Sequence, residues 1–298
     1  MAGELHNLSA NELIELYRSK KASPVDAAKS VLQQIDKLQP TYNAFCVIDQ
    51  ERTLEDARAS EDRWNKGEPI GLVDGIPTTI KDLMLSKGWP TLRGSKTVER
   101  AQVWNEDAPI VARMRSHGAV FVGKTTTPEF GWKGVTDSPL TGSTKNPWDP
   151  QKTPGGSSGG AAVAAALGMG TLNIGSDGGG SIRMPAGFCG IYGIKPTFGV
   201  VPAYPQSSMG SLSHHGPMTR TVADAALMLT VISQPDPRDW YAGPFREINY
   251  HHDLRKGIKG LRVAYSRALG YAKVASHVAE TIEKSIKFFA ELGAEVVD

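Results

Sequence analysis

The chain has 298 residues, 40% hydrophobic and 21% charged, enough to bury a sizeable core and at odds with long-range disorder. Its 33 Lys and Arg stand against 31 Asp and Glu without a block of one sign, which speaks against a nucleic-acid or membrane-surface protein. Cys46 and Cys189 are too few for a disulfide scaffold and lack metal-ligand spacing, so both are expected to be reduced.

The opening Met1-Ala2-Gly3-Glu4-Leu5-His6 offers no basic-then-apolar signal segment. The small-apolar run Ala161–Leu167 falls far short of the roughly 20 residues that span a bilayer. A cytoplasmic protein without membrane contact is the expectation.

Ser9-Ala10-Asn11-Glu12 fits a capping box ahead of Leu13, Ile14 and Leu16. Ser23-Pro24 then starts a helix whose apolar positions are Val25, Ala28, Val31, Leu32 and Ile35. A strand is expected at Ala44–Ile48 and a charged helix at Glu51–Lys66. From residue 70 short apolar runs alternate with helices. Ile76–Ile80, Ala119–Val122, Leu172–Ile174 and Leu261–Ala264 read as strands. Ala108–Ser116, Ala161–Leu167, Ala223–Ile232 and Val274–Leu292 read as helices. This alternation predicts an α/β fold with a mixed, largely parallel sheet covered on both faces. The polar stretch Pro235–Pro244 reads as a surface loop.

Glycine is concentrated. Between Gly155 and Gly193 there are 13 glycines in 39 residues, where even spreading would place about four. The clusters are Gly155-Gly156-Ser157-Ser158-Gly159-Gly160 and Gly175-Ser176-Asp177-Gly178-Gly179-Gly180-Ser181-Ile182-Arg183. Such runs suit a site built from backbone N–H groups with hydroxyls beside them. A P-loop is excluded because Ala161-Ala162 follows Gly160. A dinucleotide fingerprint from Gly168 fails at Asn173. Gly155–Gly159 matches a nucleophile elbow, but Gln151-Lys152-Thr153-Pro154 is a poor strand to precede one.

The run from Gly155 through Ser181 to Lys195-Pro196-Thr197 resembles the amidase signature family. So do Gly75-Ile76-Pro77 leading to Lys81-Asp82, the segments Gly123–Gly131 and Asn146-Pro147-Trp148-Asp149, and Gly216–Asp224. The resemblance spans nearly the whole chain. It implies the amidase signature fold and amide hydrolysis without a cofactor. It makes Ser181 the nucleophile, Ser157 the bridging serine joined to Gly156 by a cis peptide, and Lys81 the base. The oxyanion hole would be the backbone N–H groups of Gly178, Gly179, Gly180 and Ser181. Many members carry a larger residue where Gly178 stands.

Elementary chemistry agrees with these roles. A serine hydroxyl is a weak nucleophile without a base, and no histidine accompanies either serine cluster. A lysine can be that base only when neutral, which burial promotes. Lys81 follows the apolar-leaning Ile76–Ile80; the alternative is a structural lysine paired with Asp82. Ser158 is either a second network hydroxyl or a helix cap. Asp177 and Arg183 are expected to brace the loop. His214-His215 is either part of the site or in a loop, and it lacks the Cys or acidic partners of a metal centre.

The first functional reading is an amidase that splits a small-molecule carboxylic amide into a carboxylate and ammonia or an amine through a seryl acyl-enzyme. The second is the glutaminase component of a tRNA-dependent amidotransferase. A third, of another class, is an incomplete and non-catalytic fragment. No nucleic-acid or membrane partner is expected, while a homodimer is allowed for. Family members are longer than this chain, so the resemblance implies one domain present only as its N-terminal three-fifths or so. It would comprise a helical segment at 1–66, a catalytic core at 70–232 and the start of a C-terminal region at 233–298, with the sheet expected to lack its C-terminal part.

Overall fold

Helices begin where the sequence carries start signals. The computed structural model describes residues 4–244 and 246–297, so the readings at Met1–Gly3 and at Asp298 lie outside the described residues. Helix α1 (Ala10–Arg18) opens on the capping box: the Glu12 amide donates to the Ser9 hydroxyl, and the Ser9 amide to the Glu12 carboxylate. Helix α2 (Pro24–Tyr42) repeats the device with Ser23 and Asp26 and stops at Asn43 in the left-handed region. Strand β1 (Phe45–Ile48) leads to α3 (Gln50–Lys66), capped by Asp49.

Next come β2 (Pro77–Lys81), α4 (Pro109–Ser116), β3 (Val120–Thr125) and a small hairpin of β4 (Asp137–Ser138) and β5 (Gly142–Ser143). Helix α5 (Gly159–Ala166) precedes β6 (Leu172–Asp177), α6 (Arg183–Cys189), β7 (Tyr192–Gly193), β8 (His214–Thr219) and α7 (Val222–Ile232). The main sheet runs β1-β3-β2-β6-β8-β7. Its centre, β3-β2-β6, is parallel, and β1, β8 and β7 pair antiparallel. The mixed α/β sheet is therefore present, with its parallel strands in the middle.

Every residue of β2, β3 and β6 is buried, as strands covered on both faces require. Consecutive residues serve opposite faces. Phe121 joins Leu13, Met114 and Leu227 in one apolar cluster, while Val122 joins Val31, Ile35 and Val163 in the other. Helices α1, α4 and α7 thus cover one face, and α2 and α5 cover the other.

Two elements differ from expectation. Helix α6 has no strong sequence signal, since Pro185 and Gly187 lie inside it. The loop alternative for His214-His215 is overturned: both belong to β8. Pro217 argues against a strand from sequence alone, yet β8 pairs with β6 over five residues.

The segment 235–244 is a loop, as expected. A short α8 (Tyr250–Asp253) follows it. By its contacts the chain separates into one unit through His251 and another from His252. The second unit holds β9 (Arg262–Ala264), α9 (Ser276–Glu291) and β10 (Glu295–Val297), with the two strands paired in parallel across the helix. Among the described residues no helix is long and apolar enough to cross a membrane.

Candidate active site

Lys81 ends β2, at the heart of the sheet, and is fully buried. Its Nζ lies 2.7 Å from Ser157 Oγ, 2.7 Å from Ser158 Oγ and 2.9 Å from Ser176 Oγ. Burial pushes the Lys81 pKa well below the usual lysine value, against an opposing pull from the Asp177 carboxylate. The structural alternative does not apply, because Asp82 pairs with Lys124 at 3.1 Å.

Three hydroxyls suit both charge states of this amine. An ammonium donates to all three; a neutral amine donates to two and accepts from the third. Ser158 cannot be that third donor, since its hydroxyl hydrogen goes to the Ser176 carbonyl at 3.1 Å. The proton given to a neutral Lys81 must come from Ser157 or Ser176. Ser158 also occupies the N-cap position of α5 without making a side-chain cap bond. Of its two candidate roles, the network hydroxyl is the one observed.

The Gly156–Ser157 peptide is cis, as the family resemblance implies. Ser157 and Ser181 both line a cavity of about 530 Å³, and the Ser158 amide donates to the Ser181 carbonyl at 3.2 Å. A Ser157–Ser181 hydroxyl bond is not among the hydrogen bonds of the described residues. Asp177 braces the second glycine loop. It accepts from Arg183 Nε and Nη2, each at 2.9 Å, and from the amides of Gly180 at 2.7 Å and Ile182 at 3.2 Å. Burial alone would raise its pKa, but the Arg183 fork and these amides outweigh it and hold the carboxyl at about 2.

That bracing bears on one of the expected oxyanion-hole amides. The Gly180 amide is already engaged by Asp177, and one N–H serves one strong acceptor at a time. The amides of Gly178, Gly179 and Ser181 donate no hydrogen bond to the described residues. At Gly178 a Cβ would sit 2.1 Å from the Met209 sulfur, so the missing side chain is replaced by a neighbour packed on the loop.

Sequence reasoning missed Ser176 and left His215 open between the site and a loop. Ser176 stands inside the glycine run with no signal of its own, and only the register of β6 beside β2 brings it to Lys81. His215 lines the cavity opposite Ser176 in the β6–β8 ladder. Its Nδ1 is sealed from solvent and has no hydrogen-bond partner among the described residues. Burial, aided by the Lys81 charge, lowers its pKa to about 4, so it is neutral near pH 7. Among the described residues no cluster of three or more His, Cys, Asp or Glu side chains could hold a metal ion.

Residues 26–298 match the Amidase family. The chain is 40% identical over 295 residues to an acylamidase of Rhodococcus erythropolis, covering 99% of this chain and 62% of that one. It is 38% identical over 296 residues to the A component of the glutamyl-tRNA(Gln) amidotransferase of Caldanaerobacter subterraneus subsp. tengcongensis, covering 99% of this chain and 60% of that one. Among solved structures it resembles a bacterial aryl acylamidase of the amidase signature enzymes, with TM-score 0.88 and 34% identity over 97% of this chain and 60% of that one. The chain therefore spans about three-fifths of the length of the relatives it matches.

Proposed function

The chain belongs to the amidase signature family, and from that premise we propose that it hydrolyses the C–N bond of a carboxylic amide through an acyl-enzyme on Ser181. The observation that carries this reading is the buried Lys81 amine, 2.7 Å from Ser157 Oγ in a cavity shared with Ser181. Lys81, Ser157 and Ser181 all fall within residues 70–232, the segment we assign as the catalytic core.

Neutral Lys81 takes the Ser157 hydroxyl proton as Ser157 takes that of Ser181. Ser181 Oγ then bonds to the carbonyl carbon, and the oxygen becomes an anion facing the Gly178, Gly179 and Ser181 amides. As the C–N bond breaks, the proton returns from Lys81 through Ser157 to the departing nitrogen. Water attacks the acyl carbon in turn, giving its proton to the same relay and releasing the carboxylate from Ser181. Asp177 and Arg183 keep the amides aimed. Cytoplasmic location and self-association as a homodimer complete the proposal.

The test is a panel of aliphatic, aromatic and glutamine amides, with the acyl-enzyme trapped and mapped by mass spectrometry. Ser181→Ala should lose turnover and keep its fold. An adduct on any other residue overturns the assignment. Glutaminase activity that appears only with partner proteins would instead favour the amidotransferase reading, to which the 38% identical relative lends weight.

A further inference from the structure

The cavity that holds Ser157 and Ser181 is electrostatically one-sided. Arg93 lines it, and none of its described lining residues is a carboxylate. The Arg93 guanidinium makes no ion pair or hydrogen bond among the described residues. Arginine stays charged at any working pH, so this wall presents a fixed cation with no counter-charge bonded to it.

The backbone holds Arg93 there at a cost. Arg93 at φ 56° and Phe130 at φ 50° are two of five described non-glycine residues in the left-handed region. Both line the cavity, and the Phe130 amide donates to the Arg93 carbonyl at 2.8 Å. Each precedes a left-handed glycine, Gly94 at φ 66° and Gly131 at φ 70°. Gly131 sits against the reaction centre, since a Cβ there would lie 3.3 Å from Ser157 Oγ. The turn that carries Arg93 is thus bonded to the turn that abuts the bridging serine. Side-chain-bearing residues persist in this conformation when their surroundings over-determine it, and they gather at ligand clamps.

We propose that Arg93 is a specificity-determining residue that binds an anionic group of the substrate, so that the preferred amides carry a carboxylate remote from the scissile bond. The proposal rests on the hydrolytic reading of the same cavity and names its substrate class. The planar guanidinium accepts a carboxylate in bidentate fashion. That charge is equally present in ground and transition states, so the interaction lowers KM and leaves kcat unchanged.

The full chain is assayed on glutaramate and on pentanamide, which has a methyl group in place of the carboxylate. Wild type should show a KM for glutaramate lower by about tenfold or more, the scale of a charged hydrogen bond. Arg93→Asn should remove that advantage at unchanged kcat and leave pentanamide kinetics as they were; asparagine tolerates the left-handed backbone, so the fold survives. Arg93→Lys should restore part of the advantage. An equal preference in wild type and Arg93→Asn overturns the proposal. Calorimetric binding of succinate, glutarate and adipate to both proteins decides the point without turnover. Weaker binding to Arg93→Asn supports the assignment even if no amide is hydrolysed, a result that would sink the hydrolytic reading alone. If no member of the series binds wild type more tightly than Arg93→Asn, Arg93 is not the anion site.

Discussion

Ser158 and Ser176 hold each other by a reciprocal pair of hydrogen bonds: the Ser176 amide donates to the Ser158 hydroxyl at 3.2 Å, and that hydroxyl donates to the Ser176 carbonyl at 3.1 Å. The start of α5 is thereby locked to the end of β6, and both serines reach Lys81. The Lys81 amine is held in a frame of two chain segments rather than left on one flexible stem.

Removing the two hydroxyls should have unequal effects. Ser158→Ala strands the buried Ser176 amide, a loss of about 1–3 kcal/mol, and should lower kcat as Lys81 loses its anchor. Ser176→Ala removes only the contact to Lys81 and should cost about 1 kcal/mol. Denaturant midpoints and kcat of both variants check the order; a larger stability loss for Ser176→Ala would contradict it.

Activity should rise with pH as Lys81 loses its proton, at a pH well below the usual lysine value. Stability carries the same signature. The unfolded chain binds a proton at Lys81 up to about pH 10.4, whereas the folded one releases it earlier, so stability rises with pH between the two pKa values. Lys81→Met should abolish turnover and flatten this rise. Denaturation midpoints of both proteins from about pH 7 to 10.5 provide the comparison.

Asp177 and Arg183 should not be equivalent, although they form one pair. The Asp177 carboxylate is buried, while the Arg183 side chain is 54% exposed. Asp177→Ala strands the Gly180 and Ile182 amides and should destabilise by about 2–4 kcal/mol. Arg183→Ala leaves those bonds intact and should lose about 1 kcal/mol. The Asp177 pKa of about 2 lies below its unfolded value, so its contribution is full above about pH 3.9 and fades as pH falls toward 2. Acid titration of wild type and Asp177→Asn should differ across that window.

His215 predicts a second acid transition, at higher pH. Its pKa of about 4 lies below the unfolded value near 6.5, so the unfolded chain binds the extra proton first. Stability should therefore fall from about pH 6.5 down to about 4. His6 and His117 shift in the same direction, so the informative quantity is the difference between wild type and His215→Asn. An identical pH dependence in the two proteins would remove His215 as its source.

The sequence alone determined what is written over a few residues. Ser9 with Glu12 and Ser23 with Pro24 placed two helix starts, and alternating apolar runs placed β1, β2, β3 and β6 within a few residues of their ends. Glycine clustering marked both loops of the site, and the family resemblance supplied Lys81, Ser157 and Ser181.

Tertiary structure decided which groups meet. Ser176 touches Lys81, and His215 faces Ser176, because strands far apart in sequence pair in one register. The Gly180 amide is engaged by the Asp177 carboxylate because Asp177 folds back onto its own loop. Arg93 lines the same cavity as Ser157 and Ser181, and its turn is bonded to that of Phe130. Local propensity is a property of neighbours along the chain. A register, an engaged N–H or an uncompensated charge exists only once distant segments are packed against each other.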